Sequence, residues 1–72
     1  MKYDIITKEQ ICKLFDKIKY VYNPDEIKVI IYSNGDATFE IYRDNLNEWI
    51  PVLVDVAPDN FDKAFSYLDE ML

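Results

Sequence analysis

Apolar residues recur along the chain with two different periods. From residue 11 the spacing is helical. Ile11, Leu14, Phe15, Ile18 and Tyr22 fall at i, i+3, i+4, i+7 and i+11, the stripe that one helix face buries. Thr7 followed by Gln10 reads as a capping box, in which each residue's side chain satisfies the other's free backbone N–H. Ile6 and Ile11 flank that box as a hydrophobic staple. Asn23-Pro24 closes the pattern, because a residue preceding proline avoids the helical region. These signals predict a helix over residues 8–21.

From residue 26 the period drops to two, which predicts strands over 26–33 and 37–43 around the turn residues Asn34-Gly35. Two registers compete. A two-residue loop sets Val29 opposite Glu40 and Lys28 opposite Ile41, mixing apolar and charged residues on both faces. A three-residue loop, Ser33-Asn34-Gly35 with Gly35 left-handed, aligns Ile27–Ile41, Val29–Phe39 and Ile31–Ala37 on one face. Lys28–Glu40, Ile30–Thr38 and Glu26–Tyr42 then share the other. A one-residue slip flips every side chain, so the segregated register is the one expected.

A polar segment, 44–48, leads into a third strand over 49–56. Alternation places Ile50, Val52, Val54 and Val56 on one side and Trp49, Pro51, Leu53 and Asp55 on the other. Pro51 cannot donate to a ladder, so this strand belongs at a sheet edge or begins after the proline. A second helix is expected over 60–71, capped by Asp59 behind Pro58, with Phe61, Ala64, Phe65, Leu68, Met71 and Leu72 as its stripe. Two apolar helix stripes need cover, and one sheet face supplies it. The expected fold is α+β in the order α-β-β-β-α. It is a two-layer sandwich with two helices on one face of a three-stranded antiparallel sheet, forming a single domain over 1–72. Residues 2–6 are a candidate fourth strand.

Composition narrows the chemistry. Of 72 residues, 50% are hydrophobic and 31% charged, with no His and one Cys. Disordered-tail behaviour is excluded, as are disulfide staples and soft-ligand metal sites. Cys12 has no His to activate it and reads as a small helix-flank hydrophobe suited to a reducing cytoplasm. The longest apolar run, Val29-Ile30-Ile31-Tyr32, is far short of a membrane span. The first residues lack the basic-then-apolar pattern of a secretory signal. Asn34-Gly35-Asp36 resembles a fragment of a calcium loop, but the flanking ligand series is missing and a hairpin turn accounts for it. Carboxylate pairs such as Asp36 with Glu40 can be chosen, yet a domain this small rarely encloses the pocket that acid–base work needs. No phosphate-loop, dinucleotide or nucleophile-elbow motif is present. No enzyme activity, cofactor or metal is expected.

Charge changes the picture most. The net charge is −6, and residues 29–72 carry −7 of it while residues 1–28 carry +1. Such a field repels nucleic acid and anionic lipid and attracts basic surfaces. The order α-β-β-β-α is also that of double-stranded-RNA-binding domains. Those need basic contacts to phosphates, whereas the second helix here opens Asp59-Asn60-Phe61-Asp62, so RNA binding is rejected. A second candidate surface is the sheet face away from the helices. The register gives it Ile30, Tyr32, Tyr42, Trp49 and Leu53, ringed by Lys28, Glu40 and Asp55. Exposed aromatic and apolar groups of this kind mark partner or homodimer surfaces.

In size, acidity and helix–hairpin–strand–helix layout, the whole chain resembles the small phage-encoded anti-CRISPR and anti-restriction inhibitors, a class that includes DNA mimics. The resemblance implies that Asp36, Glu40, Asp44 and Glu48, with Asp59, Asp62, Asp69 and Glu70, present carboxylates where phosphates normally sit. Three functions stay open at this point. The chain is an acidic inhibitor covering a basic nucleic-acid-binding groove, or another binding module such as a toxin-neutralising immunity protein using the Trp49 face, or an enzyme or small-ligand binder.

Overall fold

The structure, a computed structural model, describes residues 5–72. Its elements are α1 (Lys8–Tyr22), β1 (Glu26–Ile31), β2 (Ala37–Arg43), β3 (Glu48–Val56), a 3-10 turn at Pro58–Asn60, and α2 (Phe61–Asp69). The strands form an antiparallel sheet in the order β1-β2-β3, a small α+β fold. The candidate strand at 2–6 falls mainly outside the described residues, and Ile5 and Ile6 are in no strand.

α1 begins as the capping box requires. The Gln10 N–H donates to Thr7 Oγ1 at 3.1 Å and the Thr7 N–H to Gln10 Oε1 at 3.0 Å. Ile6 is buried and Ile11 packs beside the same core, as a staple should. The helix runs one residue beyond the expected end. Asn23 then turns left-handed (φ 47°) and its N–H closes onto Lys19 O.

The first hairpin adopts the segregated register. Ile27 faces Ile41, Val29 faces Phe39 and Lys28 faces Glu40. Its loop has three residues: the Tyr32 N–H donates to Asp36 O at 2.8 Å and the Gly35 N–H to Tyr32 O at 2.9 Å. Gly35 has φ 92°, which costs little without a Cβ. β1 stops at Ile31 because Tyr32 and Ser33 already belong to the turn.

β3 departs from alternation, and this corrects two placements. Glu40 pairs with Pro51 but Phe39 pairs with Leu53, and Ala37 pairs with Val56, so β3 carries extra residues at two steps. Each bulge shifts the following side chains to the opposite face. Leu53, expected on the open face, is buried against the inner face. Val54, expected inside, is 62% exposed. The physical gain is core volume. Leu53 and Val56 are an odd number apart, so an unbroken strand cannot bury both. The second bulge holds Asp55 left-handed (φ 54°). Its N–H donates to Thr38 Oγ1 at 3.3 Å, which satisfies a threonine only 4% exposed.

The second helix starts later and ends earlier than expected, and Asp59 is not its cap. Residues 58–60 form a 3-10 turn, and Asn60 Oδ1 accepts the Ala57 N–H at 2.7 Å. Met71 and Leu72 lie past the helix and are exposed. Leu14, Ile18, Phe39 and Leu68 form the fully buried centre. Phe15 meets Phe39 edge-on, centroids 5.5 Å apart. An odd number of antiparallel strands between the helices makes α1 and α2 run in the same direction. Lys17 pairs with Asp69 between them, and the Tyr22 hydroxyl donates to Met71 Sδ at 3.5 Å.

Candidate functional site

The open sheet face is narrower than alternation implied. Tyr42 lies opposite Trp49, ring centroids 5.3 Å apart. Lys28 Nζ stands 4.2 Å above the Trp49 ring and 3.3 Å from Glu40 Oε1. The cation is thus held between a π face and a carboxylate. The Tyr42 hydroxyl donates to Asn47 Oδ1 in the β2–β3 loop. Ile30, Tyr42 and Trp49 are half-buried, Tyr32 is exposed beyond the strand end, and Leu53 is absent from the face. Asp55 has left the expected charged ring for the bulge. Four of the five expected members therefore remain outside the core, three of them on the face itself.

The acidic residues are regrouped by the topology. β1 and β3 run one way, and β2 and both helices the other. Asp44 and Glu48 at the β2–β3 loop therefore share an end of the molecule with Asp69 and Glu70. Asp36, at the start of β2, lies roughly 25 Å from Asp44 at the usual strand rise. Asp59 and Asp62 lie at the start of α2, where Asp62 is only about 12 Å from Glu70 along the helix. Asp62 and Glu70 line one open groove with Lys63 and Tyr67. Glu40 lies mid-sheet and is tied to Lys28. Asp25 and Glu26 join the Asp44 end: the Asp44 N–H donates to Asp25 Oδ2 at 2.8 Å, and Glu26 pairs with Tyr42. Their sequence neighbourhood, rich in lysine, hid them, although the hairpin register already placed Glu26 beside Tyr42.

These carboxylates have few cations. Among the described residues the ion pairs are Lys17–Asp69 and Lys28–Glu40. Arg43 sits among the Asp44-end acids but serves the backbone. Its Nη1 donates to Asn23 O at 3.0 Å and its Nη2 to Tyr22 O. A guanidinium there caps the negative end of the α1 dipole. Asp44, Glu48, Asp59, Asp62 and Glu70 are exposed and have no ion pair among the described residues.

Asp36 and Glu40 are about 13 Å apart along the strand, and Glu40 is engaged by Lys28. Among the described residues no group of His, Cys, Asp and Glu could hold a metal ion, and no helix is long and apolar enough to cross a membrane. The concavities are open grooves, one beside the Lys17–Asp69 bridge with Tyr20 at its rim. Burial, then the nearby Tyr67, pushes the Tyr22 hydroxyl above the ordinary tyrosine value. No family model matches the chain, and searches of curated proteins and of solved structures find no match.

Proposed function

We propose that this protein is a small acidic inhibitor that occupies a basic, nucleic-acid-binding surface of a partner protein. The observation that carries this reading is the distribution of exposed carboxylates that have no ion pair among the described residues. Asp44 and Glu48 lie at the β2–β3 loop, and Asp59, Asp62 and Glu70 along α2 and its approaches, all exposed, while Arg43 is committed to α1. Such a surface attracts Arg- and Lys-lined grooves and speeds encounter with them. Glu40 and Asp69 rank lower in this role, because each already holds a lysine. Anti-defence action in the cytoplasm, of the kind the anti-CRISPR resemblance implies, belongs to the same proposal. No catalytic step, cofactor or direct nucleic-acid contact is part of it.

The test is capture from a bacterial lysate at low salt, followed by release with sodium chloride. Wild type is compared with a variant carrying Asp44→Asn, Glu48→Gln, Asp62→Asn and Glu70→Gln. The expected result is a captured nucleic-acid-binding protein whose DNA or RNA binding is lost while the chain is bound. Release should come with rising salt, since exposed charges are screened over about 8–10 Å. A variant that binds as fast as wild type, with little effect of salt, refutes the proposal. A second reading rests on the half-exposed Trp49–Tyr42 pair with Ile30: an immunity-type binding module or a homodimer built on that face. It predicts the reverse, namely salt tolerance and sensitivity to Trp49→Ala.

A further inference from the structure

We propose that two copies of the chain join along β1, across a two-fold axis through Val29, to make one continuous antiparallel sheet. The two outer edges of the sheet are built differently. β3 is guarded by Pro51, which has no N–H, and by two bulges with a left-handed Asp55; these are devices that stop edge pairing. β1 has no proline and no bulge. Its one lysine, Lys28, is drawn inward over Trp49 and onto Glu40. Among the described residues nothing pairs with its second edge.

The hydrogen-bonding parity of β1 selects its partner. Each residue in an antiparallel ladder turns its N–H and C=O to the same side, and the sides alternate. The Tyr32 N–H bonds Asp36 O, so Ile30, Lys28 and Glu26 also point to β2. Ile27, Val29 and Ile31 therefore present their N–H and C=O groups to the free edge. They are also the inner-face residues. An axis through Val29 sets Val29 against Val29, Ile27 against Ile31 and Lys28 against Ile30 of the second copy. Every free donor on the strand then meets a free acceptor, and apolar meets apolar on the helix side. Ile31, 49% exposed in the single chain, is covered by Ile27. Neighbouring registers are worse. An axis through Lys28 opposes two ammonium groups, and one through Ile30 leaves Ile27 facing Ser33 in the turn. The edge is thus complementary to itself, which is what a closed two-fold interface requires.

Charge distinguishes this association from the proposed function. Each copy carries −6, so salt screens repulsion and strengthens the dimer, whereas it weakens binding to a basic partner. Sedimentation equilibrium from about 10 µM to about 1 mM, a range that brackets weak self-association, reads the mass. The expected mass rises from 8.6 kDa toward twice that value, more so at high salt. Ile31→Pro deletes an edge donor without touching the β1–β2 ladder and should raise the dissociation constant at least tenfold. If circular dichroism shows that variant unfolded, Ile31→Lys keeps the backbone donor, places a charge in the seam and should act in the same direction. Val54→Lys, on β3, should leave the mass unchanged. A mass fixed at 8.6 kDa throughout, a dimer indifferent to both Ile31 variants, or one abolished by Val54→Lys overturns the proposal.

Discussion

Leu53→Ala and Val54→Ala together test the β3 bulge, because an unbroken strand and the bulged one predict opposite orders. Leu53 is 7% exposed and pairs with Phe39, itself fully buried, while Val54 is 62% exposed. Truncating Leu53 removes three carbons, a transfer loss of about 2.4 kcal/mol at ~0.8 kcal/mol each. The void beside Phe39 adds a cavity term, so the total should lie at about 2–5 kcal/mol. Val54→Ala should fall within about 0.5 kcal/mol of wild type, as for an exposed site without special contacts. A core of this size supplies only about 3–5 kcal/mol in all, so Leu53→Ala should leave the domain near half-unfolded in water. Urea titration followed by Trp49 fluorescence measures both; at a slope of about 1 kcal/mol/M the Leu53 midpoint should fall by at least ~2 M. If Leu53→Ala gives no folded baseline, Leu53→Met conserves volume and should cost under about 1.5 kcal/mol. A Val54→Ala loss equal to or larger than that of Leu53→Ala would refute the bulge and restore simple alternation.

Other substitutions probe the remaining links. Arg43→Ala removes charge-assisted bonds to the Tyr22 and Asn23 carbonyls and should cost about 1.5–3 kcal/mol by thermal or urea unfolding. Arg43→Lys should recover only part, because an ammonium cannot span both carbonyls as a planar fork does. Asp55→Ala should destabilise by about 1 kcal/mol, since alanine keeps the Cβ that a left-handed backbone disfavours but lacks the short polar side chain that lets aspartate visit this region. Asp55→Gly should match or exceed wild type, and equal losses from both would remove the strain argument. Burial raises the Tyr22 hydroxyl above 10.0 in the fold. Its contribution is fully present below the unfolded value and is lost as pH rises through the folded one. Stability should therefore drop at alkaline pH more steeply in wild type than in Tyr22→Phe, measured by urea midpoints across that range; parallel profiles would contradict it.

Signals confined to a few neighbouring residues were legible in the chain. The Thr7–Gln10 cap, the Asn23-Pro24 stop and the Ser33-Asn34-Gly35 loop each depend on local backbone chemistry. The hairpin register depends only on which pairing keeps Ile27, Val29 and Ile31 away from Lys28 and Glu40. The candidate acids were visible as residues too, since charge is a property of composition. Their grouping was not. Asp36 and Asp44 are held at opposite ends of β2, whereas Asp62 and Glu70, equally far apart in sequence, line one groove on α2. Leu53 shows the same limit at one position. Period-two reasoning treats a strand as unbroken, and a bulge is decided by whether Leu53 or Val54 better fills the space beside Phe39, which α1 and α2 also line. Arg43 carries a charge in any reading. Only the meeting of β2 with the end of α1 decided that this charge serves two backbone carbonyls.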